Sequence, residues 1–151
     1  MNRIKPIMLL FLSFMIVLVA CDRKRNISNE ETKEYKKEVL AVEHVKKVAV
    51  NLWPSGNVDI DVYVTKDIDQ KEINQVLELT KNYVTVSNMR KIKEQFKLGT
   101  EVDEIYLEFR NENGKLIKRY VAQYFKTYRR DDSPENVEAY KIWRDETPKL
   151  D

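Results

Sequence analysis

The sequence predicts an α+β domain: a four-stranded antiparallel sheet made of two hairpins, with helices packed on one face, in the order α-ββ-α(α)-ββ-α. Three observations carry this. Two stretches alternate apolar and polar residues with the period of a strand, Val58-Asp59-Ile60-Asp61-Val62-Tyr63-Val64 and Ile105-Tyr106-Leu107-Glu108-Phe109-Arg110. Each joins a neighbouring apolar run through turn chemistry, Pro54-Ser55-Gly56-Asn57 and Asn113-Gly114. Between the pairs and at both ends, the apolar residues instead recur at helical spacing.

Taken in order, Ser28 with Glu31 three residues on predicts a capping box, and Tyr35, Val39 and Val42 predict a helix over 29–42. Val45 to Trp53 and Val58 to Thr65 form the first hairpin. Asp69 with Glu72 at N3, and Ile68 with Ile73 at N4, predict a capped and stapled second helix. The β-branched Thr85–Ser87 interrupts that pattern. Met89, Ile92 and Phe96 resume it, and Gly99 is placed to stop it. In the second hairpin a two-residue Asn113-Gly114 loop would set Glu112 opposite Lys115 and Glu108 opposite Arg119. The return strand runs from Lys115 to about Lys126. Ser133 as N-cap and Pro134 at N1 predict a last helix that ends before Pro148.

The first twenty residues belong to export rather than to the fold. Arg3 and Lys5 precede a fourteen-residue apolar run, Ile7–Ala20, whose only polar member is Ser13. A membrane-spanning helix needs about 20 apolar residues, whereas roughly 7–15 suits the apolar region of a secretory signal. The run ends in Leu18-Val19-Ala20-Cys21. This resembles the lipobox of bacterial lipoproteins: an aliphatic residue, a tolerant position, a small residue and a cysteine. The resemblance covers only these first twenty-one residues. It implies cleavage before Cys21, a diacylglyceryl group on the Cys21 thiol, and a domain on the extracytoplasmic face of the cell membrane. Two acyl chains hold a protein to a bilayer stably where one holds it only marginally. The expected organisation is a signal peptide over 1–20, a lipidated cysteine and polar tether over 21–28, and one α+β domain over 29–151.

Charge and composition exclude several classes. Arg3 and Lys5 leave with the signal, which brings the 27 Lys and Arg level with the 25 Asp and Glu. A formally neutral mature chain gives no reason to expect nucleic acid as a partner. With one cysteine and one histidine, the chain cannot supply a disulfide or the usual ligands of a zinc site. His44, between a helix and a strand, reads as a surface or structural residue. Asp59, Asp61, Asp67 and Asp69 are the densest carboxylates. They read as a solvated strand face and a helix cap, because Lys66 and Lys71 sit among them and no calcium-loop spacing is present. No cofactor is expected.

One stretch carries a charge signal. Lys115 to Arg130 holds six basic residues and no acidic one, interleaved with aromatics. Read as an edge strand, it offers Lys118, Arg119, Tyr120, Tyr124, Lys126, Tyr128, Arg129 and Arg130 as a surface for a protein or an anionic envelope component. The Trp53 turn is the alternative contact site. The function expected is therefore non-enzymatic: an anchored binding module of the cell envelope, in an accessory, inhibitory or exclusion-type role. A small envelope hydrolase using carboxylates on the Asp59/Asp61 strand is the rival reading.

Overall fold

A computed structural model describes residues 23–127 and 129–149. The expected signal peptide, Cys21 and Tyr128 lie outside the described residues. Among the described residues six strands form one sheet in sequence order: β1 (Arg25–Asn26), β2 (Val45–Leu52), β3 (Val58–Val64), β4 (Glu104–Arg110), β5 (Leu116–Gln123) and β6 (Trp143–Asp145). Helix α1 (Glu30–Leu40) precedes β2, while α2 (Gln70–Tyr83) and α3 (Val86–Phe96) connect β3 to β4. The α+β class and the two hairpins match the expectation. The four-stranded, wholly antiparallel sheet does not.

The central pair is the first correction. β3 and β4 run parallel, with Ile60 beside Leu107 and Asp61 beside Glu108. Alternation fixes pairing inside each hairpin, but it carries no information on which strands of the two hairpins meet or in which direction. The α2–α3 connection is a crossover, long enough to bring the chain back parallel. The two terminal strands are the second correction. Arg25 and Asn26, read as tether, pair with Leu52 and Asn51. Ile27 is buried, and its N–H donates to the Val50 carbonyl at 2.9 Å.

The last predicted helix is absent. Its amides start a turn on the Ser133 carbonyl, but the N–H groups of Glu138 and Ala139 then both donate to the Tyr124 carbonyl. Ala139 and Tyr140 have φ of 51° and 61°, left-handed backbone that no helix continues. Ser133 does not cap; its hydroxyl and its N–H both donate to the Asp131 carboxylate. The chain then returns as β6 along Tyr120–Ala122, so β5 is not the sheet edge. Lys118 meets Asp145 at 2.7 Å. That contact, with the Thr147 hydroxyl, holds the Asp145 carboxyl down to about 2.

Smaller details follow the same pattern. Asp69 and Glu72 form the capping box of α2, as predicted. Helix α1 is capped by Asn29 rather than Ser28, with the Thr32 N–H donating to Asn29 Oδ1 at 2.9 Å. Thr85 separates α2 from α3 by capping the latter. α3 ends at Lys97, itself in the left-handed region at φ 53°, before Gly99 is reached. Glu108 does face Arg119. The loop is one residue longer than predicted, because Asn111 N–H donates to the Lys115 carbonyl and Gly114 takes φ 79°. Ile117 absorbs the difference as a bulge between the Phe109–Lys118 and Arg110–Leu116 pairs, so Glu112 does not face Lys115.

The core lies between one sheet face and the helices. Val58, Ile60, Val62, Ile105, Leu107 and Phe109 are fully buried and form one cluster with Val39, Val76, Met89 and Ile92 of the helices. Between α1 and α2 the rings of Tyr35 and Tyr83 stack at 4.4 Å. Their hydroxyls are spent on buried threonines, Tyr35 on Thr80 and Tyr83 on Thr32, each at 2.8 Å. Burial pushes the Tyr83 phenol up to about 12.

Candidate functional site

Strand alternation sends every second residue of β3, β4 and β5 to the face turned away from the helices. Cross-strand register aligns them there: Asp59 beside Tyr106, Asp61 beside Glu108, and Glu108 beside Arg119. The expected solvated face is a correction. Asp59, Asp61 and Glu108 are only 6%, 5% and 4% exposed. Long cationic side chains cover them.

The cover is a connected network. Arg110 donates from Nε to Asp61 Oδ1 at 2.8 Å, from Nη1 to the Gly114 carbonyl at 3.0 Å, and from Nη2 to Glu108. Arg119 reaches the other Glu108 oxygen from Nε at 2.7 Å. Asp59 Oδ2 accepts from Lys24 Nζ at 2.7 Å and from the Trp53 indole N–H at 2.6 Å. Lys24 Nζ also lies 4.5 Å from the Trp53 ring centroid, and the Arg119 guanidinium 5.8 Å from that of Tyr106. The Tyr106 hydroxyl donates to Glu104, and burial followed by that bond raises its phenol well above the usual range.

These side chains line an open groove of about 340 Å³ formed by Lys24, Trp53, Asp59, Tyr106, Glu108, Arg110 and Arg119. Three features read separately in the sequence meet in it: the Asp59 strand, the Trp53 turn and the basic strand at Arg119. Alternation placed Asp59 and Glu108 on one face of their strands. Only the parallel β3–β4 pairing, which periodicity does not encode, joins those faces. Lys24 was missed, since it reads as tether.

The basic stretch as a whole is taken apart by the fold. Lys118 meets Asp145, Arg119 meets Glu108, and Arg130 meets Asp103 at 2.6 Å. Tyr120 and Tyr124 are buried, the first edge-on to Phe109 and the second packed against Phe125 and Tyr140. Lys126 and Arg129 are exposed beside a shallow pocket shared with Asp131 and Glu135.

Elsewhere, His44 has φ 64° and its Nδ1 lies 2.8 Å from Glu72 Oε1. Asp69 serves as the cap of α2. Among the described residues no group of three or more His, Cys, Asp or Glu is placed to hold a metal ion. No helix among them is long and apolar enough to cross a membrane. No protein-family model, curated protein or solved structure matches the chain.

Proposed function

We propose that this chain is a lipid-anchored, extracytoplasmic binding module of the cell envelope that works without catalysis, and that the groove on the open sheet face is its contact surface. The observation that carries the reading is the spacing between anchor and groove. Only Asp22, Arg23 and Lys24 separate the lipobox cysteine from β1, and Lys24 is already a wall of the groove. Four residue steps reach at most about 14 Å when extended. A diacylglyceryl group on Cys21 therefore holds the groove next to the bilayer.

The groove is a better contact surface than the whole Lys118–Arg130 stretch. Much of that stretch is committed to acids or to the core, whereas the groove gathers two aromatic rings and polar groups at one place. Nucleic acid is not a partner of this reading. The rival, a hydrolase on the Asp59/Asp61 strand, requires one proton-bearing carboxyl working opposite a second. Here the carboxylates are shared among three cations, an arrangement that favours recognition over proton transfer.

Cys21→Ser tests the anchor. Radiolabelled fatty acid should fail to incorporate, and the protein should leave the membrane fraction. Label retained in that variant would refute the reading.

A further inference from the structure

We infer that the groove binds a neutral, hydroxyl-rich ligand, a saccharide unit, rather than an ion. The inference rests on the binding-module reading and adds the class of ligand. Lys24, Arg110 and Arg119 stand against Asp59, Asp61 and Glu108, and the six charges partner one another. An anion entering would compete with Glu108 for two guanidinium groups or with Asp59 for Lys24. A cation would face the reverse competition. Either would have to break a pair whose carboxylate is buried and leave a like charge beside it, which is unfavourable.

The capacity that remains is of mixed sign. Lys24 and Trp53 both donate to Asp59 Oδ2, so Oδ1 accepts none from the described residues. Lys24 spends one N–H on Asp59, and the Arg119 guanidinium meets a single Glu108 oxygen, leaving donors on both. A hydroxyl donates and accepts at once, so it fits such a site without adding charge. The groove also holds apolar plates whose orientation is fixed: Trp53 by its N–H on Asp59, and Tyr106 by its hydroxyl on Glu104. A pyranose has the matching chemistry, with an apolar C–H face and a polar rim. The volume of about 340 Å³ lies at the small end of small-molecule sites. Lys24 keeps its Nζ on Asp59 while it lies over the Trp53 ring, so a sugar would bind beside it and leave that pair intact.

The test uses the full chain in phosphatidylcholine vesicles with Trp143→Phe, which leaves Trp53 as the only tryptophan. Cellotetraose and chitotetraose are the soluble probes. Vesicles containing a monoglucosyl diacylglycerol present the same chemistry from a lipid. Inorganic phosphate, tetraglutamate and tetralysine are the charged probes. A saturable shift in Trp53 emission with a neutral probe is expected, unchanged between about 50 and 500 mM salt because no net charge is exchanged. A response to the soluble sugars identifies a free glycan, and a response only to the glycolipid identifies a headgroup. By calorimetry, Trp53→Ala or Tyr106→Ala should weaken binding roughly tenfold or more. If one variant fails to fold, the other carries the comparison. No response to any neutral probe, a response to a charged probe that fades with salt, a response to phosphatidylcholine alone, or full affinity in a folded variant overturns the inference. Fatty-acid labelling of the same preparations reports separately on the anchor.

Discussion

Both faces of β3 are buried along most of their length, Tyr63 alone being half-buried, and they are held in opposite ways. Val58, Ile60, Val62 and Val64 face the helices and lie wholly within the apolar core. Asp59 and Asp61, one residue out of phase, are as well covered, but by Lys24, Trp53 and Arg110. Burial on the first face removes apolar area from water, and every contact there is exchangeable for another of similar shape. Burial on the second is conditional, because each carboxylate is stable only while its particular donors stay in place. A polar residue in a strand thus marks which face it occupies, not whether water reaches it.

The largest expected break in this contrast is on the helix-covered face. Leu107→Ala should cost about 2–5 kcal/mol in urea denaturation, a loss that salt does not alter. On the open face, Glu108→Gln keeps the shape and removes the charge that two guanidinium groups share. We expect about 1–3 kcal/mol, less than for a fully sealed pair because Arg110 and Arg119 remain partly exposed. The gap to the wild type should narrow as salt rises, and a salt-independent loss would mean that the network acts by packing alone.

The smallest effect lies at the rim. The Glu72 carboxylate beside Nδ1 raises the His44 pKa above its usual value, with smaller contributions from Glu43 and Asp67. A raised folded-state pKa stabilises below the unfolded value of about 6.5, and this is lost as pH rises through the folded pKa. His44→Gln should therefore flatten stability against pH from about 6.5 upward and leave the acid side lower than in the wild type. An unchanged pH profile would remove the pair from the account.

Strand periodicity and turn residues were enough to find β2, β3, β4 and β5, and the α2 cap was written in Asp69 and Glu72. The parallel junction was not legible, because it is decided by how α2 and α3 lie on the sheet rather than by any residue in β3 or β4. The false last helix shows the limit of cap signals. Ser133-Pro134 opens a turn, but the Tyr124 carbonyl takes the amides a helix would need. The groove was legible only in fragments. Asp59, Trp53 and Arg119 each drew notice alone, and what joins them is long-range pairing that leaves no local trace.

The sheet ends on both sides in very short strands, two residues in β1 and three in β6. Beyond β1, the uncovered part of β2 exposes Lys46 and Lys47. For molecules crowded against one another, lateral strand addition is the standing hazard, since each added copy presents a fresh template for the next. Here a neighbour would find only a few free backbone groups before meeting like charge or the end of the strand. Such a chain resists edge-to-edge polymerisation even when it is crowded.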